Sequence, residues 1–168
     1  LVPRQDHAGR LIGYDGLIAD ITDRKKVEEE LKANEEWFRT LVEKSGEVIS
    51  LTDVNHKRIY VSPSVYNVLG YTVEEYEALN WLDLSRPDDI QVLEENRSWM
   101  LEHPGETTYF LSRRRHKKGS WRWMETAARN LLDDPNIRAI VVNYHDITDR
   151  KNAEEALKSS EERFRALV

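Results

Sequence analysis

The feature that most restricts the fold is an internal repeat. Asp20-Ile21-Thr22-Asp23-Arg24-Lys25 returns as Asp146-Ile147-Thr148-Asp149-Arg150-Lys151, 126 residues further on. The match runs over 23 positions, 16 of them identical, where composition alone gives about two or three. A segment near one end is therefore copied near the other, with about one domain's length between them. The simplest account is a tandem array in which one unit is whole and its predecessor is a stump.

Both copies read as helices after the threonine. Val27, Leu31, Asn34, Phe38 and Leu41 fall at spacings of 4, 3, 4 and 3, and Ala153, Leu157, Ser160, Phe164 and Leu167 keep them. Flanked by Glu, Lys and Arg, this is the a/d seam of a coiled coil. A lone amphipathic helix packed on its own domain gives a similar stripe. Two copies in register on either side of one domain favour parallel connectors. Val27, Leu31, Phe38, Leu41, Leu157 and Phe164 are the expected dimer seam, in which Asn34 and Ser160 weaken pairing but fix register.

Composition removes several classes of function. The 25 Lys and Arg against 31 Asp and Glu leave a net charge of −6, which argues against a nucleic-acid binder. With no cysteine, disulfides, thiolate metal sites and cysteinyl adducts are all excluded. No apolar run approaches the roughly 20 residues of a membrane span, and the amino terminus has no signal-peptide core. The expectation is a cytoplasmic piece without membrane contact, with any membrane anchor of its parent lying outside it.

Between the connectors, residues 44–148 alternate turn signals with short apolar runs. Val48–Thr52 and Arg58–Val61 form a predicted hairpin around Asp53-Val54-Asn55-His56. A short helix follows Ser62-Pro63-Ser64 and stops at Gly70, and Thr72-Val73-Glu74-Glu75 has a capping-box pattern. Ser85-Arg86-Pro87-Asp88-Asp89 reads as a helix start, with a serine cap and acidic residues on the dipole. That helix carries Ile90, Leu93, Arg97 and Met100 along one side and ends at Pro104-Gly105. Three strands then meander, the first a long one beginning at Thr107–Leu111, then Trp121–Leu132 and Ile137–Ile147. The order β-β-α-α-α-β-β-β gives an α+β fold, a five-stranded antiparallel sheet with short helices on one face.

These residues resemble a PAS domain, the sensory module of bacterial and archaeal signalling proteins such as sensor histidine kinases. Leu69–Tyr76 resembles the family's LGYT-x-EE-[LY] segment, and Arg86-Pro87-Asp88-Asp89 its HPDD helix start. Lys118–Glu125 resembles the DGS-x-RW-x-E hairpin, and Asp146–Lys151 the DITERK ending, the PAC-type motif that hands over to the next module. Arg86 stands where the family usually has histidine, and Lys118 where it has aspartate. Residues 1–22 resemble the last two strands of a preceding unit, 23–43 a linker helix, 44–148 the domain, and 149–168 an outgoing signalling helix. An orphaned hairpin is marginal in water, so residues 1–22 are expected to pair with a neighbouring chain or stay mobile.

The resemblance implies a pocket between sheet and helices, where relatives hold haem, flavin, small metabolites or nothing. Ile49, Leu51, Tyr66, Leu69, Trp81, Ile90, Leu93, Met100, Phe110, Trp123 and Val142 are its expected lining. No cofactor is predicted. A flavin adduct needs a cysteine, and the one haem-ligand candidate, His103, reads as a solvated helix end. His56 and His116 read as surface residues. Arg113–Lys118 reads as a solvated strand edge rather than an anion site. Trp121 and Trp123 share one face of their strand, and Trp99, like Trp81, reads as core filling.

No kinase motif, phosphate loop or nucleophile elbow is present, so no enzymatic activity and no catalytic or metal site is expected here. The resemblance implies a homodimer joined to adjacent PAS and effector domains of a two-component parent. In that reading a ligand or partner shifts the sheet, and Asp146, Ile147 and Thr148 pass the shift to the outgoing helix. The rival readings are a ligand-free spacer serving dimerisation and relay, and a small acid–base enzyme. The enzyme reading requires two or more titratable groups in a pocket whose expected lining is almost all apolar.

Overall fold

The computed structural model describes residues 2–15 and 20–166; Leu1, 16–19, Leu167 and Val168 lie outside the described residues. The chain divides into two compact units, residues 1–38 and 39–168. In the first, β1 (Val2–Gln5) and β2 (Leu11–Asp15) pair antiparallel. Asp6 closes their turn by accepting the amides of Ala8 and Arg10 at 2.8 and 2.9 Å. Helix α1 (Thr22–Lys44) opens beyond them, and Asp20 accepts the Thr22 amide at 2.9 Å.

The second unit holds a five-stranded antiparallel sheet of order β4-β3-β7-β6-β5, the architecture expected from the sequence. Its strands are β3 (Glu47–Thr52), β4 (Arg58–Val61), β5 (Thr107–Arg115), β6 (Trp121–Leu131) and β7 (Ala139–Asp146). Between β4 and β5 lie α2 (Val65–Leu69), α3 (Val73–Ala78), α4 (Trp81–Leu84), a 3-10 turn at Pro87–Asp89, and α5 (Ile90–Glu102). Helix α6 (Thr148–Ala166) leaves from the end of β7.

Local chemistry explains most boundaries. Gly70 ends α2 at φ 81°, where its amide returns to the Tyr66 carbonyl. The capping box at Thr72 and Glu75 starts α3, each side chain receiving the other's amide. The helix α4 was not foreseen; Asn80 caps it by accepting the Leu82 amide.

The start of α5 differs from the sequence expectation. Ser85 does not cap it: its hydroxyl donates to the Trp81 carbonyl at 2.7 Å, closing α4 instead. Asp89 makes no capping bond either. Its carboxylate accepts from the Arg113 amide (2.6 Å), Nε (3.0 Å) and Nη2 (2.6 Å), tying the helix to the edge strand β5. Burial pushes the Asp89 carboxyl up, but the Arg113 hydrogen bonds outweigh it and hold it below its ordinary range.

Two stability tests follow from these anchors. A Cβ on Gly70 would sit 2.9 Å from His116 Cε1 at a positive φ, so Gly70→Ala is expected to cost about 1–3 kcal/mol in urea unfolding. Asp89→Asn is expected to cost about 2 kcal/mol near neutral pH. Because the folded carboxyl titrates below its unfolded value of 3.8, that difference should shrink as pH falls through and below this value. An Asp89→Asn cost independent of pH down to 2 would contradict the ion pair's role.

Candidate functional site

Strand alternation decides which side chains face the helices. Val48, Ser50 and Thr52 of β3 share the inner face with Phe110, Ser112 and Arg114 of β5. Met124, Thr126 and Ala128 of β6, with Ile140, Val142 and Tyr144 of β7, complete it. The strand register aligns Thr108, Ala128, Val142, Ser50 and Val61 in one row across all five strands. Ala128, in that row, is the smallest side chain lining the space beneath the helices.

The core is split accordingly. One cluster gathers Val48, Val61, Val65, Leu69, Tyr76, Leu84, Met124 and Tyr144; the other gathers Met100, Ala128 and Ile140, and Val142 packs against both. A cavity of about 80 Å³ is lined by members of both clusters. From the sheet come Thr52, Arg58, Phe110, Arg114, Ala128, Ile140, Val142 and Tyr144. Tyr76, Trp81, Leu93, Arg97 and Met100 come from the helices, and His56 from the β3–β4 turn.

The cavity is cationic, contrary to the apolar lining expected. Arg58 Nη1 donates to the Leu79 carbonyl at 2.5 Å, and its guanidinium lies 4.5 Å from the Tyr76 ring centroid. Arg114 is 8% exposed; its Nη1 donates to Ser85 Oγ at 2.7 Å and its guanidinium faces Tyr144. The Nε atoms of Arg97 and Arg114 are buried without a hydrogen-bond partner. His56 adopts φ 63° in a turn held by Asp53, and its ring stacks on Trp81 at 4.5 Å. Burial, with the charges of Arg97 and Arg114, lowers its pKa to about 4 against the pull of Asp53, and Arg58 adds to the lowering. His56 is therefore neutral at ordinary pH, whereas guanidinium groups do not deprotonate and carry the cavity's charge.

Of the expected lining, Trp81, Leu93, Met100, Phe110 and Val142 meet at this cavity. The other six do not. Ile49 and Leu51 alternate with buried Val48 and Ser50 and so belong to the opposite sheet face. Tyr66 is 62% exposed on α2, and Leu69 is sealed inside the first cluster. Ile90 stands half-buried at the first turn of α5, away from the cavity. Trp123 lies on the outer face under the Arg113 guanidinium, at 4.7 Å.

The basic run also divides, by strand parity. Arg113 pairs with Asp89, Lys117 with Glu75, Arg115 is exposed, and Arg114 turns inward. His103 and His116 both lie away from the cavity. His103 Nδ1 lies 2.8 Å from the Trp99 carbonyl and its ring stacks on Trp99, while His116 Nδ1 accepts the Lys118 amide.

The junction residues are tied to β6. Thr148 Oγ1 accepts the Trp123 amide at 2.9 Å and donates to Asp146 Oδ1, which also accepts the Thr148 amide at 2.8 Å. The Ile147 amide donates to the Trp123 carbonyl at 2.9 Å, and its side chain is 4% exposed. Arg122 lies 3.6 Å from Asp146, and Arg150 pairs with Glu125 at 3.0 Å. The seam residues Val27, Leu31, Phe38, Leu41, Leu157 and Phe164 are all exposed. Among the described residues no helix is long and apolar enough to cross a membrane.

Comparison with known proteins agrees with this architecture. The chain is 26% identical over 165 residues to the two-component sensor PprA of Pseudomonas aeruginosa, covering 95% of this chain and 18% of that protein. It is 26% identical over 147 residues to sporulation kinase E of Bacillus subtilis, covering 86% and 19%. The chain thus spans about a fifth of the length of these relatives. A solved sensory box histidine kinase/response regulator from Burkholderia thailandensis superposes with a TM-score of 0.59 at 26% identity, covering 77% of this chain and 98% of that one. The PAS domain of an HTR-like protein from Haloarcula marismortui gives 0.61 at 18%, covering 73% and 99%, a likeness of fold. The PAS fold family matches residues 58–143, just over half of the sequence, and the chain belongs to that family.

Proposed function

We propose that this PAS domain is a sensory and dimerisation module of a cytoplasmic two-component signalling region, relaying a ligand-induced change to a downstream effector through α6. The observation that carries this reading is that one strand does both jobs. Ile140, Val142 and Tyr144 of β7 line the cavity, and the same strand continues through Asp146 and Ile147 into α6. A change in the cavity wall displaces β7, and the Thr148–Trp123 bond ties the first turn of α6 to β6. The strand and the helix start then move together, which alters the helix's angle or register for the next domain. The exposed 4-3 seam on α1 and α6 supports pairing with a second copy of the chain.

The spacer reading has one observation in its favour: the cavity, at about 80 Å³, is well below the roughly 300–1,000 Å³ of common ligand sites. Substitutions at the junction test the relay, and one in the cavity separates the two readings. Asp146→Ala and Thr148→Ala, placed in the full-length parent, are expected to abolish or strongly blunt its response while the domain still folds. Unchanged signalling would remove the junction from the mechanism. Ala128→Leu fills the central row of the sheet and is expected to lock the output in one state; an unaltered output supports the spacer instead.

A further inference from the structure

The guanidinium groups of Arg58 and Arg114 at the cavity have hydrogen bonds and ring contacts but no counter-charge among the described residues. Arg58, Arg97 and Arg114 reach it from β4, α5 and β5, and among the described residues no carboxylate stands within ion-pair distance of any of them. Their neighbour Arg113 shows the ordinary arrangement, bidentate on Asp89. Arg114 is more than nine-tenths buried, with Nε unsatisfied. Burying a cation without a counter-charge is strongly unfavourable, and a chain of net charge −6 has carboxylates to spare elsewhere. The missing partner is an anion.

We infer that the cavity binds a short-chain carboxylate, its head group on the guanidinium groups of Arg114 and Arg97 and its body against Met100, Phe110 and Ile140. The planar fork of a guanidinium matches a carboxylate in geometry and charge. The apolar walls distinguish this ligand from a bare inorganic anion, which would leave them uncovered. The small volume, about 80 Å³, restricts the ligand to a few heavy atoms and so to a short-chain acid. His56, neutral at ordinary pH, does not add to the cationic charge, so Arg58, Arg97 and Arg114 supply it. The inference rests on reading the cavity as a ligand site.

The test is isothermal titration calorimetry of the 168-residue chain with sodium propionate, sodium pyruvate, propionamide and inorganic phosphate. One of the two carboxylates is expected to bind at one site per chain, at least about tenfold more tightly than propionamide. Arg114→Met and Arg97→Met are each expected to weaken it about tenfold or more. Arg114→Met should also raise the thermal midpoint of the free chain, because it removes an uncompensated buried cation. Equal binding of propionate and propionamide, binding of phosphate alone, or full affinity in both arginine variants would overturn the assignment. The propionate–propionamide comparison on the unaltered chain stands even where a variant fails to fold. If neither carboxylate binds while Ala128→Leu still changes the parent's output, the carboxylate assignment falls and the relay survives. If a carboxylate binds and that variant leaves the output unchanged, the relay falls and the binding site survives.

Discussion

The last strand of the sequence occupies the centre of the sheet. β7 hydrogen-bonds to β3 on one side and β6 on the other, so the domain's sheet is complete only once β7 is in place. From that one constraint the layout of the site follows. A central strand contributes its inner face to the middle of the core, where Ile140, Val142 and Tyr144 meet the cavity. Being last, it also delivers the chain directly to α6. The repeated hexapeptide offers a comparison within the same chain. Asp20 and Asp146 make the same bond to the amide two residues on, yet Ile147 is 4% exposed and Ile21 49%. The local turn is written in the hexapeptide itself, whereas burial of its isoleucine depends on the sheet beside it.

The site arises where packing gives way. Ala128 and Ser50 flank Val142 in the row that spans all five strands, and Met100 of α5 packs on Ala128 at the edge of the cavity. Two apolar clusters form instead of one, with the cavity at their seam. Arginines occupy that seam, and the Nε atoms of Arg97 and Arg114 are buried there without a partner. Unsatisfied buried polar groups of this kind are rare in folded domains.

Legibility in the sequence followed the range of the interaction. The capping box at Thr72, the stop at Gly70 and the hairpin turns are set by neighbours within about four residues, and these could be read directly. The sheet was readable from the spacing of its turns and from the family motifs. The cavity was harder. Ile49 and Leu51 were expected there for their apolarity, although the alternation that buries Val48 and Ser50 sends them to the other face. The same alternation, carried on from Phe110 through Ser112, would have turned Arg114 inward and out of the exposed basic run. Ser85 and Asp89 had the composition of a helix cap but were claimed by the Trp81 carbonyl of the unforeseen α4 and by Arg113, a partner that only the tertiary fold supplies. His56 carried no local signal; its place depends on a left-handed turn and on the ring of Trp81, 25 residues away.

The central claim is that the cavity wall and the start of the outgoing helix form one mechanical unit. Native-state hydrogen exchange tests it most directly, by comparing the amides of Val142 and Tyr144 with those of Trp123, Ile147 and Thr148. The account predicts that all five exchange through a single cooperative opening, with protection that falls together as denaturant is added. If the Ile147 and Thr148 amides open independently and orders of magnitude faster than those of β7, the tether between cavity and helix does not hold.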